Sequence, residues 1–473
     1  MEKLKKGQIY EMDIVDLAFG GKGICKWETP KGMFILFVSH TLPGQKVQAR
    51  VFKLQKKHGE ARLMKVLERS PLEIETGYQE VSGAPFARLP MEKQRFFKQR
   101  DSLDQFNKEG HTEVKDLFSD YIASPMDWGY RNKMEYSFSA ISWSHEEDKT
   151  VDTFGLGFKR RGMWWCVDSL VKPSGLFDER FETGLAKMKE YLEATGLPGW
   201  HAPKSHGFFR SMLVKYSFHQ DKFLIALQTS SDGLDQFSLP DFIDFVNTLY
   251  PKRIAGVFHT LNEGEGDRFD YTASASTLIH GEDHLIEEIC GLKFKISLSS
   301  FFQTNPSSAA LLYKSVIKQC EGLKGDGYIL DLFCGTGTIA QLLAQALPEK
   351  KIIGVDIEES SISDAKMNAA ENGIHQVEFH AADVGKFLDE HPEYQGKIDT
   401  VVLDPPRAGI MAKSLKKVIE LGADHIVYVS CNPSTQARDT TLLKEAGYTM
   451  SHYHLVDQFP HTSHIEGVAV FKR

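Results

Sequence analysis

The chain has 473 residues, 41% of them hydrophobic and 25% charged; these values exclude wholesale disorder and point to two or three domains. No apolar run approaches the ~20 residues of a membrane span, and six scattered cysteines without CxxC or metal-ligand spacing argue for a reducing, cytoplasmic setting. Net charge is −8, yet residues 1–69 hold fourteen Lys or Arg against seven Asp or Glu, so a head of +7 joins a body of −15, an asymmetry expected of a polyanion-binding module.

The N-terminal segment MEKLKKGQIYEMDIVD carries charges without a following apolar block, so no secretory signal is expected there. Short apolar stretches at 8–17, 33–39, 46–54 and 61–67 are separated by Gly20, Gly21, Gly23, Pro43 and Gly44. Such spacing predicts a small five-stranded OB-like barrel over 1–69. Its glycine run, FV pair and LPG before a strand resemble a TRAM domain, which implies an RNA-binding barrel.

Residues 70–299 predict a mixed α/β central domain. Helical patterning covers 91–107 and 177–194, and strand-like runs cover 133–141, 153–158, 212–218 and 222–228. The aromatic-basic sequence GFKRRGMWW (157–165) could stack on bases. A strand with a charged outer face is the plainer reading.

From residue 300 the segments YILDLF, KIIGVDI, VEFHAAD, IDTVVLD and HIVYVSC alternate with helical patterns at 339–346, 361–372, 413–421 and 435–446. Strand alternating with helix predicts a parallel, doubly wound, Rossmann-like sheet over 300–473. The whole is therefore a multidomain α+β and α/β chain. Its first strand runs into DLFCGTGTIA, and Asp356 follows Gly337 by nineteen residues, where a carboxylate can accept both ribose hydroxyls. The loop lacks the glycines of a dinucleotide fingerprint and the Lys-Ser/Thr of a phosphate loop. A nucleoside without pyrophosphate fits better, and S-adenosylmethionine is such a cofactor. Asp383, Asp404 and Cys431 follow later strands, and open α/β sheets bind ligands at those strand ends.

The motifs FFQTN (301–305), DLFCGTGT, LDPPRAG, VSCNP and FPHTSHIEGV (459–468) occur in the order and spacing of the RNA uracil-5-methyltransferase family. The chain resembles that family throughout its last third, and its TRAM-like head resembles the ribosomal-RNA-modifying members. DNA cytosine-5-methyltransferases fit less well, since their nucleophile follows the fourth strand in a Pro-Cys pair. Amino-directed methyltransferases share the Asp-Pro-Pro turn but need no cysteine after the fifth strand.

The resemblance implies Cys431 as nucleophile and Glu466 as the base that removes the C5 proton. It also implies that Gln303, Phe333, Asp356 and Asp404 line the cofactor site, with Asp404 reaching toward the target base. Asp383 is assigned to the adenine end from its strand position, and Arg407 to support of the base pocket or a phosphate. The target base must leave any stack to meet Cys431.

The implied partner is ribosomal RNA, 23S or a large-subunit precursor, and a monomer without membrane contact is expected. The same chemistry on transfer RNA is the alternative within the class; an inactive RNA-binding or ribosome-assembly factor is the alternative outside it. One departure stands out. Many relatives carry a four-cysteine iron–sulfur cluster, but Thr76, Ser82 and Pro85 stand where three of those cysteines would be, and Cys166 alone lies near the fourth. No cluster is therefore expected.

Overall fold

The computed structural model describes residues 4–30, 32–110, 112–266, 269–271, 275–321 and 327–473; the first three residues of the predicted barrel lie outside them. Six strands build the head: β1 (Ile9–Asp13), β2 (Asp16–Leu17), β3 (Gly23–Thr29), β4 (Gly32–Ser39), β5 (Lys46–Leu54) and β6 (His58–Glu68). Their order is β1-β5-β6-β4-β3-β2, with β4 and β6 parallel. Alternation drives the closure: β5 buries Val47, Ala49 and Val51 while the residues between them point outward. One strand more than expected is present, because β3 mixes Cys25 and Trp27 with charged residues and shows little apolar signal.

The barrel is not a free arm. Leu17 and Leu42 share a small core with Phe86, Leu89 and Phe97, the last on α1 (Met91–Lys108). Arg100 of α1 donates from Nη1 to Asp16 at 2.8 Å and from Nη2 to the Leu17 carbonyl at 2.9 Å. At Gly21 a Cβ would lie 2.9 Å from Ser463, so the glycine turn abuts the 459–465 loop.

Next come β7 (Phe118–Ile122), β8 (Lys133–Ser144), β9 (Lys149–Arg160), β10 (Met163–Ser169), α2 (Glu179–Ala194), β11 (Phe209–Ser217), β12 (Lys222–Thr229), α3 (Leu239–Leu249), β13 (Ile254–Leu261) and β14 (Ser276–Gly281). Seven of these strands form one sheet in the order β10-β9-β8-β11-β12-β13-β14. Helices α2 and α3 cover one face of it through an aromatic core that includes Phe138, Phe181, Phe209 and Phe223.

Strand β7 and helix α1 go elsewhere. β7 pairs in parallel with the penultimate strand of the C-terminal sheet, and α1 packs on that sheet's last helix. Residues 91–122, which the sequence places in the central unit, therefore lie on the C-terminal sheet. The reason is burial: Phe106 and Val114 find their apolar partners there, among Tyr453, Leu455 and Ala437.

A hairpin of β15 (His284–Ile289) and β16 (Leu292–Ser297) leads into α4 (Pro306–Cys320). The rest is β17 (Tyr328–Leu332), α5 (Thr338–Ala346), β18 (Ile352–Asp356), α6 (Glu359–Glu371), β19 (Val377–Ala381), α7 (Val384–Glu390), β20 (Ile398–Leu403), α8 (Ala412–Glu420), β21 (His425–Ser430), α9 (Pro433–Glu445), β22 (Thr449–Val456) and β23 (Glu466–Lys472). The sheet order is β19-β18-β17-β20-β21-β23-β22-β7. Its first five strands are parallel, as expected, but β23 runs antiparallel to both neighbours, so the sheet is mixed. Order reverses between β17 and β20, which opens a crevice at their carboxyl ends.

The segment around Thr76, Ser82 and Pro85, where no metal cluster is expected, is held by hydrogen bonds. Gln79 donates to the Ser169 carbonyl at 3.0 Å and accepts from the Val171 amide at 2.9 Å, while Cys166 is buried in β10. Thr76, Ser82 and Pro85 offer no thiolate. Protein purified anaerobically should be colourless and hold less than about one iron per chain; a visible charge-transfer band with about four irons would refute this.

Candidate active site

The crevice is a cleft of about 630 Å³ that receives Gln303, Phe333, Asp356, Asp383, Asp404, Cys431 and Glu466. All seven predicted residues therefore open onto one space. Each gets there by a local device.

Phe333 follows β17 with φ +64°, a left-handed conformation that only a firmly packed surrounding maintains in a bulky residue. Gly337 is needed two ways: its φ is +71°, and a Cβ there would sit 2.5 Å from the Phe379 ring. Asp356 ends β18, accepts from the Gly335 amide and the Glu358 amide at 2.9 Å each, and so ties the two loops together. Asp383 caps α7 by accepting from the Lys386 amide at 3.0 Å. Gln303 lies on a strap, 297–304, slung between the two larger units. Buried Lys215 of β11 donates to the carbonyls of Ser297 and Ser300 at 2.7 and 2.8 Å, and Asn132 donates to the Gln303 carbonyl at 3.0 Å.

Asp404 follows β20 and continues into the Pro405-Pro406 turn. Cys431 follows β21, just before Asn432, which caps α9 through the Ser434 amide and donates to the Arg407 carbonyl at 3.0 Å. Glu466 begins β23 and is buried. The preceding loop is clamped from α1. Lys98 donates to Asp457 at 2.8 Å and to the Phe459 carbonyl at 2.9 Å, Gln94 accepts from the His461 amide at 2.8 Å, and Trp128 stacks on His461 at 3.5 Å.

Burial dominates the electrostatics. It pushes the Asp404 carboxyl up to about 7. It pushes Glu466 up to about 8, with the Asp404 charge adding and Arg407 opposing. The Cys431 thiol rises to about 11 by burial and by the same two carboxylates, against the pull of Arg407. Arg407 Nη2 lies 3.5 Å from His464 Nε2. That imidazole is held neutral by burial and nearby cations, down to about 4. The arrangement is a half-buried thiol with two proton-accepting carboxyls and one guanidinium, set beside a nucleoside-sized groove.

Both carboxyls titrate above their ordinary values of 4.5 and 3.8, so their neutral forms favour the folded state. That contribution is complete below about pH 4 and is lost as pH rises through about 7–8. The ligand-free protein should lose thermal stability between about pH 5 and 8.5, and Glu466→Gln should flatten the loss. Equal slopes for wild type and variant would show that Glu466 is not held neutral.

Several lining residues escaped the sequence reading. Tyr313 of α4 and Ser361 of α6 face the cleft with no motif to mark them, whereas Phe301 and Ile357, both exposed, adjoin residues already singled out. The donor set fits S-adenosylmethionine: a carboxylate after the second strand for ribose, apolar Phe333 and Ile357 beside it, and Asp383 further along.

A methyltransferase-domain model matches residues 323–465 and a TRAM-domain model residues 3–64. Fold and cleft thus define an S-adenosylmethionine-dependent methyltransferase carrying an N-terminal TRAM domain. The chain is 33% identical to an uncharacterized RNA methyltransferase of Clostridium tetani, over 99% of both chains. It is 34% identical to one of Caldanaerobacter subterraneus subsp. tengcongensis, over 99% of this chain and 100% of that one. It belongs to this RNA methyltransferase family. Among solved structures it resembles the tRNA (uracil-54, C5)-methyltransferase of Pyrococcus abyssi in complex with S-adenosyl-L-homocysteine, with TM-score 0.71 and 25% identity over 98% of this chain and 100% of that one.

Proposed function

We propose that the protein methylates C5 of uridine in 23S ribosomal RNA through a covalent adduct on Cys431. The observation that carries this reading is that Cys431 and Glu466, eliminated from neither motif, open onto the same cleft as the cofactor residues. The likeness to a uracil-C5 enzyme in the solved structures supports it.

Uracil C5 is too weak a nucleophile to attack a methyl sulfonium unaided. The Cys431 thiol gives its proton to solvent, leaving Glu466 ionised for the later step, and its sulfur bonds to C6. The C5–C6 π pair moves into an enolate, which makes C5 nucleophilic. S-adenosylmethionine supplies the electrophilic methyl group. Asp404 holds the base edge, and Glu466 then takes the C5 proton, so the electron pair re-forms the double bond and expels the Cys431 thiolate. A carboxyl poised near neutrality suits that proton transfer.

A transfer RNA substrate is the second reading. The Pyrococcus abyssi enzyme acts on tRNA, and the likeness spans the barrel, so the barrel does not separate the two substrates. Mass mapping of 5-methyluridine in ribosomal and transfer RNA, with and without this protein, decides between them. Loss of the mark from 23S RNA is the expected result. Loss from tRNA alone would select the second reading, and no change in either RNA would leave an RNA-binding factor without turnover.

A further inference from the structure

The seam between the barrel and the β9–β10 hairpin holds a second cleft, of about 310 Å³. Arg62 of β6 lines it from the barrel; Lys159, Arg160 and Arg161 line it from the hairpin, against two carboxylates, Glu80 and Asp168. Both carboxylates are already engaged. Glu80 lies 2.7 Å from Arg88, and Asp168 lies 3.1 Å from Arg160 and 2.8 Å from His145.

Two of the remaining cations, Arg62 and Arg161, have little to offset them. Among the described residues Arg62 makes no ion pair, is exposed, and rests near the Phe52 ring and against the Gly162 turn of the hairpin. Arg161 donates from Nη2 to the Val81 carbonyl at 3.3 Å, and its buried Nε has no hydrogen-bond partner. The positive field is felt at His40, whose imidazole is lowered to about 4 by burial and then by Arg161 and Arg62.

We propose that this cleft holds the sugar–phosphate backbone of the substrate RNA, with Arg62, Lys159 and Arg161 facing its phosphates. The proposal rests on the RNA-directed activity argued above. The body beyond residue 69 carries a net charge of −15 against +7 in the head, so a polyanion is drawn to places where cations from the head and the body meet. Cations converging from the barrel and the hairpin repel one another in the free protein and gain attraction once phosphates lie between them.

The aromatic surroundings suit a single strand. Trp164, two residues past the Gly162 turn, is 61% exposed, and Met64 of β6 is 47% exposed. Phe158 lines the cleft itself, and the exposed Trp164 indole on the same hairpin offers a stacking platform for unpaired bases. The GFKRRGMWW segment thus gains a role that a charged strand face alone does not give it.

The test is RNA affinity as a function of salt, measured with a single-stranded RNA oligonucleotide and no methyl donor. Arg62→Gln with Lys159→Gln should weaken binding roughly tenfold near 0.1 M salt and lower the log–log salt slope by about 1.4, two contacts at ~0.7 each. Lys159→Arg should retain the slope, and unchanged S-adenosylmethionine affinity certifies the fold. Arg62→Glu, at an exposed position, should weaken binding further on its own. The proposal is overturned if the slope stays at the wild-type value, or if Lys413→Gln with Lys416→Gln on α8 causes an equal loss. It is also overturned if inorganic phosphate binds the cleft while RNA affinity ignores these substitutions. Because no turnover is read, a failure of the uridine assignment leaves this outcome separately visible.

Discussion

Cys431→Ala should abolish both methylation and covalent capture of RNA, a loss of at least about 10⁴ in rate if nucleophilic addition is obligatory. Its side chain contributes the thiol in the cleft beside Asp404 and Glu466; Cys334 also lines the cleft, but burial holds its thiol well above the ordinary range. Glu466→Gln should behave differently. Addition and methyl transfer precede removal of the C5 proton, so the variant still reaches the methylated adduct and then stalls. A protein–RNA species stable to denaturing electrophoresis should accumulate, and only with S-adenosylmethionine present. Misfolding would abolish turnover without trapping anything. Measurable turnover by Cys431→Ala would refute the covalent route. Absence of a trapped species in Glu466→Gln would assign the proton to another group, of which Asp404 is the nearest in chemistry.

Lys98→Met should produce the largest loss of stability. Lys98 and Asp457 form an ion pair with side chains 1% and 0% exposed. Burial lowers the Lys98 ammonium, and Asp457 opposes that shift. Removing the cation leaves Asp457 buried with the Tyr121 hydroxyl, which donates to it at 2.9 Å. Breaking such a pair costs about 3–5 kcal/mol, which urea denaturation would resolve. Adding Asp457→Asn removes the stranded charge and should restore a large part of that loss. Activity should fall as well, because Lys98 also anchors the Phe459 carbonyl at the start of the loop that delivers Glu466. Wild-type stability in Lys98→Met would mean that water reaches Asp457 and the clamp contributes little.

The reach of that clamp depends on the barrel as well. Gly21 touches Ser463, and Arg100 of the same helix as Lys98 holds Asp16. A substitution in the barrel turn can therefore be felt at Glu466 without touching RNA.

The sequence by itself determined the strand–helix alternation after residue 300, the G-x-G turn and the acidic residue after the next strand. These features are local: a motif or a period of two or 3.6 shows in neighbouring residues, whereas Cys431 as nucleophile and Glu466 as base were implied only by the resemblance of their motifs to those of a family. The sequence also placed a basic barrel at the head, since charge sums need no coordinates. It missed that residues 91–122 leave the central unit, that β23 reverses direction, and that the barrel shares a core with α1. Those depend on which buried surface finds a partner hundreds of residues away, as Phe106 does with Tyr453 at 4.7 Å. Only the tertiary structure decided the protonation landscape. Asp404 and Glu466 are ordinary carboxylates in a sequence, and their rise toward neutrality comes from the desolvation that folding imposes. The second cleft has the same origin: Arg62 and Lys159 stand 97 positions apart, and their charges gather at one seam only because the barrel docks against the hairpin.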